Sequence, residues 1–222
     1  DPRIEPNAIN VEKISYDEML ELASLGAKVL QNRSVEMAKK LNVNLVSRSS
    51  FTPEVEGTLI TKEENIMEKP IVSGIALDKN QVRVGMYGVS DKPGIAASIF
   101  TSLADENINV DMIVQTVGVD GKTDLDFTVP TTDLEATKIV MEKFTNDCVN
   151  IDYNDAICKV SIVGVGMKSH TGVASKAFSA LANNNINIRI ISTSEIKISM
   201  IIEEKYSELA VRSLHDAYNL DK

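Results

Sequence analysis

The amino-acid sequence predicts an α+β protein built from a βαββαβ unit that occurs twice. One block of the chain is repeated: residues 94–109 read GIAASIFTSLADENIN, and residues 172–187 read GVASKAFSALANNNIN. Each block follows a short β-rich run and leads into another. A repeat of this length indicates one structural unit used twice, and such a unit normally packs against its copy. We therefore expect the function at the seam between the two copies.

Residues 1–65 precede the repeats and have a different pattern. Ser15 and Glu18 have the spacing of a capping box ahead of an apolar stripe, which indicates that a helix begins after Ser15. The predicted elements are a helix over Tyr16–Leu30, a helix over Ser34–Leu41, a strand over Leu45–Ser47, a loop over Phe51–Thr58, and a linker or short helix over Lys62–Lys69.

The first repeat contains a complete set of six elements. Ser90 or Asp91 is a candidate cap for the helix that begins near Ile95, and Asn107 is a candidate left-handed stop for it. Asp120-Gly121 between two strand-like runs predicts a hairpin. The other predicted elements are strands over Val82–Val89, Val110–Val117, Leu125–Val129 and Val149–Tyr153 and a helix over Leu134–Phe144. The order βαββαβ is that of a ferredoxin-like unit.

The second repeat lacks its last strand. Its predicted elements are strands over Lys159–Val165, Ile188–Ser194 and Lys197–Ile202 and helices over Val173–Ala182 and Ser207–Tyr218. Upstream, Val72–Leu77 reads as a strand without a sheet, and an open sheet edge would be an aggregation hazard. We therefore predict that Val72–Leu77 completes the second sheet. The first domain (81–158) is then inserted into the second (70–80 plus 159–222), and residues 1–65 form a third part.

Composition excludes several classes of function. The net charge of −9 argues against a nucleic-acid surface, and no apolar run is long enough to span a membrane. Cys148 and Cys158 make neither a disulfide framework nor a metal cluster, so we expect reduced thiols in a cytoplasmic protein. His170 and His215 have no spaced set of ligands, and we expect no metal site. The chain begins with Asp1 and not Met, without a targeting signal, and resembles a piece of a longer protein.

Two matching turns are the candidate binding sites. Residues 91–94 (DKPG) and residues 167–172 (MKSHTG) each precede a repeated helix, where free backbone N–H groups can accept a carboxylate or phosphate. A pair of such sites would suit a zwitterion such as an amino acid. The alternative for either turn is a capped turn without a ligand.

Polar residues on the strands that follow the helices are further candidates. Asn109 and Asn187 are predicted to start these strands, and Gln115 and residues 193–195 (TSE) lie further along them. Polar residues on otherwise apolar strands are informative, although helix-stop asparagines and solvation of a sheet edge remain as alternatives.

Several of these motifs resemble the tandem ACT domains of the bacterial aspartate kinase (aspartokinase) family. The motifs are VSDKPG at 89–94, NVDMIVQ at 109–115, GVGMKSH at 164–170 and ISTSEIKIS at 191–199. The N-terminal stretches DPRI at 1–4, EMLELA at 18–23, GAKVL at 26–30 and RSSF at 48–51 resemble the end of the α/β kinase domain of that family. The resemblance therefore implies a remnant of the kinase domain followed by two ACT domains, one inserted in the other.

The resemblance also implies a function. The family phosphorylates the β-carboxylate of L-aspartate with ATP and Mg, which is the first step toward lysine, threonine and methionine, and its ACT domains bind end-product amino acids that inhibit the kinase. Asp1, Arg3 and Lys28 fall on positions that resemble nucleotide-contacting residues. The opening motif of the family, Lys-Phe-Gly-Gly-Thr-Ser, is absent from this chain. We therefore expect this region alone to be inactive, with no cofactor of its own.

The expected effector is lysine, possibly with threonine, and the expected assembly is a homodimer through the ACT domains next to the kinase domain of the parent enzyme. A separate non-catalytic regulatory subunit is the alternative. A nucleic-acid-binding ferredoxin-like module is disfavoured by the acidic charge and few aromatic residues. The expected effector-binding residues are Asp91, Lys92, Pro93, Gly94, Ile95, Asn109, Val110, Asp111 and Gln115 in the first copy and Met167, Lys168, His170, Thr171, Gly172, Val173, Asn187, Ile188, Thr193, Ser194 and Glu195 in the second.

Overall fold

The chain forms two compact units. A computed structural model describes residues 1–27, 29–66, 70–118 and 121–221. The continuous unit is Lys79–Cys158, and the discontinuous unit combines Asp1–Asp78 with Lys159–Lys222. Within the described residues, every helix is too short or too polar to cross a lipid bilayer.

The N-terminal part of the discontinuous unit is a small sheet with two helices. Its elements are β1 (Lys13–Ser15), α1 (Tyr16–Ser24), α2 (Asn32–Leu41), β2 (Leu45–Ser47) and β3 (Thr58–Thr61). The strand order is β1-β3-β2, with β1 parallel and β2 antiparallel to β3. Ile14, Val35 and Ile60 are buried at its centre. Strands β1 and β3 were not predicted from the sequence.

Helix α1 confirms the predicted start but not the predicted end. The Ser15 side chain accepts a hydrogen bond from the backbone N–H of Glu18, and the Glu18 side chain accepts one from the backbone N–H of Ser15, which completes the capping box. The helix ends at Ser24 instead of Leu30 because the chain turns at Gly26, where φ is +109°. A Cβ at Gly26 would lie 2.6 Å from the carbonyl oxygen of Leu77, so no larger residue fits this turn.

The continuous unit contains all six elements of the first repeat. They are β5 (Val82–Ser90), α3 (Ile95–Asp105), β6 (Ile113–Val117), β7 (Lys122–Val129), α4 (Leu134–Met141) and β8 (Asn150–Asn154), with β4 (Gly74–Asp78) preceding them in the discontinuous unit. The antiparallel strand order is β6-β7-β5-β8. Ile99 and Leu103 from α3 pack on Val84 and Phe127 of the sheet. The predicted Asp120 of the hairpin lies outside the described residues.

The second repeat recruits the upstream strand, as the sequence predicts. Its elements are β9 (Ile157–Val163), α5 (Val173–Asn183), β10 (Ile188–Thr193), β11 (Lys197–Glu203) and α6 (Ser207–Tyr218), and the strand order is β10-β11-β9-β4. Strand β4 pairs antiparallel with β9 from Gly74–Val163 to Asp78–Lys159. The predicted pairing of Val72–Leu77 with the second sheet is confirmed, with the strand bounds shifted to Gly74–Asp78.

Candidate functional site

Both repeated helices begin at a glycine in the left-handed conformation. Gly94 has φ +100° before α3, and Gly172 has φ +84° before α5. Among the described residues, no side chain makes a capping hydrogen bond at either helix start. The prediction that Ser90 or Asp91 caps α3 is therefore wrong, because Gly94 occupies the cap position. The positive end of each helix favours an anion. In α3 the N–H of Ile95 already donates to the carbonyl of Lys92 at 3.3 Å, so the first-turn N–H groups that follow it are the candidate donors there.

The turn before α3 is held by backbone hydrogen bonds and exposes its side chains. The N–H of Asp91 donates to the carbonyl of Gly121 at 2.9 Å, and the N–H of Lys92 donates to the carbonyl of Ser90 at 2.9 Å. Asp91, Lys92, Pro93 and Gly94 are exposed, and Ile95 is half-buried. The turn thus offers one carboxylate and one ammonium group beside an uncapped helix start.

The polar residues after α3 lie on and before an edge strand. Asn109, Asp111 and Gln115 are exposed, and Val110 is half-buried. Strand β6 begins at Ile113, so the prediction that Asn109 and Val110 start it is wrong. Asp111 and Met112, which precede β6, still form hydrogen bonds with Thr128 of β7. The pattern is irregular because the N–H of Met112 donates to the side-chain hydroxyl of Thr128.

The second copy brings two of the predicted segments together. Lys168, in the turn before α5, forms an ion pair of 3.5 Å with Glu195, which follows β10. The N–H of Gly164 donates to the carbonyl of Ile196 at 3.0 Å. Residues 167–171 and 194–196 therefore form one surface, with Lys168 and Glu195 as its charges.

The turn before α5 contains more regular secondary structure than its counterpart. Val165–Ser169 forms a 3₁₀ helix, and His170 Nδ1 lies 2.8 Å from the carbonyl oxygen of Gly166. The other predicted residues of this copy flank these groups, with Thr171, Gly172, Asn187, Thr193 and Ser194 exposed, Met167 and Ile188 half-buried, and Val173 buried. Strand β10 begins at Ile188, as its predicted bounds have it, and Asn187 lies directly before the strand instead of starting it.

Tyr218 of α6 forms a hydrogen bond with the first residue of α5. Its hydroxyl donates to the carbonyl of Val173 at 2.7 Å, and the ammonium of Lys176 lies 5.3 Å from the centre of its ring. Burial raises the pKa of Tyr218 to about 12, so the phenol stays protonated and keeps this hydrogen bond over the physiological range.

Glu18 connects the turn of the second copy to the N-terminal part, a contact that sequence reasoning missed. The side chain is 2% exposed. One carboxylate oxygen accepts hydrogen bonds from the N–H and the hydroxyl of Ser15, at 3.1 and 2.6 Å. The other accepts from the hydroxyl of Ser73 and, at 3.0 Å, from the N–H of Val165. The capping-box spacing was visible in the sequence, but a partner 147 positions away was not.

Another acidic residue of α1, Glu21, forms an ion pair with the second sheet. Lys197, the first residue of β11, contacts Glu21 at 2.9 Å, and both side chains are about three-quarters buried. Two acidic residues of α1 thus bind the end of the second sheet that carries the candidate surface.

Comparison with known proteins assigns this arrangement to a family. A family model described as the ACT domain matches residues 82–144 and 160–218. An aspartokinase from Helicobacter pylori (strain ATCC 700392 / 26695) is 65% identical, over all of this chain and 56% of that protein. A chain in a crystal structure of aspartokinase alpha and beta subunits is 52% identical with a TM-score of 0.63, over 67% of this chain and 99% of that chain.

The chain belongs to the aspartokinase family.

The aspartokinase fold match extends to more distant members. The crystal structure of E. coli aspartokinase III in complex with lysine and aspartate (T-state) aligns over 100% of this chain and 49% of that chain, with a TM-score of 0.80 and 26% identity. The predicted α+β fold with two ACT repeats is thereby confirmed. The chain spans 56% of the length of the H. pylori relative.

Of the residues that resemble nucleotide contacts of aspartokinases, Asp1 and Arg3 lie at the surface. The carboxylate of Asp1 pairs with the guanidinium of Arg3 at 2.6 Å, and the Arg3 side chain is 88% exposed. Lys28 lies outside the described residues. One carboxylate and one guanidinium are too few groups to bind and position a nucleotide for phosphoryl transfer.

Proposed function

We propose that this chain is the regulatory region of an aspartate kinase and that it binds an end-product amino acid, lysine first and threonine second. The observation that carries the proposal is the pair of uncapped helix starts at Gly94 and Gly172, each beside exposed charged side chains. The effector residues named from the sequence are proposed to form one binding surface in each copy.

The chemistry of an amino acid fits these surfaces. An anion at a helix N-terminus gains about 0.3–1 kcal/mol when exposed and up to about 2 kcal/mol when partly buried. The α-carboxylate would therefore bind the first-turn N–H groups of α3 or α5. Asp91 in the first copy and Glu195 in the second can pair with an ammonium group through charge-assisted hydrogen bonds. Lysine offers two ammonium groups, so its side chain can pair with a carboxylate in addition to its α-ammonium group, which threonine cannot do.

In the parent enzyme, the bound amino acid would inhibit the phosphorylation of L-aspartate. A ligand shifts an equilibrium only by its difference in affinity for the two states, and the coupling is reciprocal. ATP with Mg²⁺ would supply the phosphoryl group there, outside this chain apart from the Asp1–Arg3 remnant. The likeness to a complex that contains lysine and aspartate supports the choice of effector.

A separate regulatory subunit is the second candidate. The match that covers 99% of a chain in the structure of aspartokinase alpha and beta subunits favours it, because that chain is no longer than the aligned region. Mass spectrometry of the native protein distinguishes the two, since a separate subunit has no kinase domain attached.

Calorimetric titration with lysine, threonine and methionine tests the proposed binding. An effector that binds only the folded state stabilises it by about 2.7 kcal/mol at a hundred times Kd. We expect Asp91→Ala and Ser194→Ala to weaken this stabilisation. Asp105→Ala at the far end of α3 and Ser179→Ala on the exposed side of α5 are the matched controls. Unchanged melting with millimolar lysine and threonine, or a parent-like response of both site variants, would contradict the assignment.

A further inference from the structure

The N-terminal segment and α6 bring together three metal-binding side chains that are far apart in the sequence. Single ligand atoms of Glu5, His215 and Asp216 all lie within 4.8 Å of one another. The segment is fixed on the helix nearby, since the side chain of Arg212 donates to the carbonyl of Ile4 at 2.9 Å. All these residues belong to the discontinuous unit.

The imidazole of His215 is buried, with the residue 6% exposed. Its Nδ1 atom has no hydrogen-bond partner among the residues that the structure describes. A buried polar atom normally has a partner, because leaving it unsatisfied costs about 1–3 kcal/mol. Glu5 and Asp216 each place a carboxylate oxygen within 4.8 Å of a nitrogen of this ring.

The carboxylate of Glu5 is also buried, at 5% exposure. One of its oxygens accepts a hydrogen bond of 2.9 Å from the N–H of Asn7. Buried carboxylates are normally paired with cations or bound to metals, because burial of an isolated charge is costly. A cation between Glu5 and His215 would compensate the carboxylate and give the imidazole nitrogen a partner.

We propose that Glu5, His215 and Asp216 form a binding site for Zn²⁺. The ligand set is one imidazole and two carboxylates, and Zn²⁺ accepts both donor types at about 2.0–2.2 Å. Ca²⁺ and Mg²⁺ prefer six or more oxygen ligands, which this set does not provide. Asp216 is exposed, so water can reach the fourth position of a tetrahedron.

Binding requires only a small movement of side chains. Tetrahedral Zn²⁺ with these bond lengths separates its ligand atoms by about 3.4 Å, whereas the three atoms now lie within 4.8 Å. The exposed Asp216 and the side chain of Glu5 can close this difference by rotation. The metal would link residues 1–8 to the last helix of the second repeat, a role distinct from effector binding.

Titration of the 222-residue chain with ZnCl₂ in a calorimeter tests the proposal. We expect one saturable site and a rise in melting temperature with Zn²⁺. His215→Gln and Asp216→Asn should each lower the affinity at least about tenfold, since even indirect metal partners are worth about 10–100-fold. His170→Gln is the matched control, because His170 is the other histidine of the chain and is exposed. It should change the affinity less than twofold.

Two further readouts keep the test decisive if His215→Gln folds poorly. Asp216 is exposed, so Asp216→Asn should leave the parent fold and melting temperature intact without metal. Co²⁺ in place of Zn²⁺ should give the visible absorption bands of a four-coordinate site in the parent chain, and Asp216→Asn should reduce them. Absence of saturable binding, or equal affinity of the parent chain and Asp216→Asn, would overturn the proposal, as would an equal loss in His170→Gln.

Discussion

Glutamine in place of Glu18 should destabilise the discontinuous unit, although it changes one atom of the side chain. In the parent chain one carboxylate oxygen accepts from the N–H of Ser15 and the other accepts from the N–H of Val165. Glutamine has a single acceptor oxygen. Whichever way its amide lies, one of the two backbone N–H groups must face the NH₂ group.

The magnitude follows from these contacts. The hydroxyls of Ser15 and Ser73 can rotate to accept from the amide, so they add nothing to the loss of stability. A buried N–H that loses its acceptor costs about 1–3 kcal/mol. Glu18→Gln should therefore cost about 2 kcal/mol, and Glu18→Ala, which leaves both N–H groups unpaired, about 4 kcal/mol. For a chain of this size, 2 kcal/mol lowers the melting temperature by roughly 4–8 °C.

Far-UV circular dichroism during heating and during urea titration measures this effect. Glu36→Gln on α2 is the matched control, because Glu36 is exposed, and its stability should stay within about 0.5 kcal/mol of the parent. If Glu18→Gln melts within about 1 °C of the parent chain, the carboxylate does not hold Val165 and Ser15 as described.

Four other outcomes are expected. A coupled ADP-release assay should detect no aspartate-dependent turnover by this chain, and any such turnover would refute the proposed inactivity. Light scattering at tens of micromolar should give at least about twice the chain mass of 24.3 kDa, whereas a monomer with and without effector would argue against the dimer. Tyr218→Phe should lose about 1 kcal/mol with the hydrogen bond to Val173. The pKa of Tyr218 is raised from about 10 to about 12 in the folded chain, so its contribution to the free energy of unfolding is complete below pH 10 and is lost toward pH 12. Urea titrations between pH 10 and pH 12 should therefore show a smaller loss of stability for Tyr218→Phe than for the parent chain. Ser161→Ala should cost about 1–3 kcal/mol by leaving the buried Ser199 hydroxyl without its partner at 2.7 Å, and the double Ser161→Ala/Ser199→Ala variant should cost less than the sum of the single changes.

The repeat was the part of the fold most accessible to sequence reasoning. Helix α6 and strand β2 have the predicted bounds, and β4 joins the predicted sheet. These predictions succeeded because periodicity and strand count are properties of the chain itself. Asn107 has φ +58°, which confirms the predicted left-handed stop after α3.

The errors lie where distant parts of the chain decide the local structure. Strand β3 was missed, and its first residue was placed in the predicted loop, because its pairing partners β1 and β2 are short and β1 lies 46 residues away. The early end of α1 depends on the approach of Leu77 to Gly26. The cluster of Glu5 with His215 could not be seen from ligand spacing, because only the fold brings the first turn of the chain to its last helix.

The two candidate surfaces differ in what holds them. In the first copy, the turn before α3 is bonded to Gly121 and Ser90 of its own unit. In the second copy, the 3₁₀ helix before α5 begins at Val165, whose N–H is bound by Glu18 of the N-terminal part. Under the proposed function, a ligand that moves this 3₁₀ helix must alter the contact between Val165 and Glu18. A ligand biases only the element with which its affinity is coupled. The second copy is therefore placed to act on the N-terminal part through the buried carboxylate of Glu18 and the ion pair of Lys197 with Glu21.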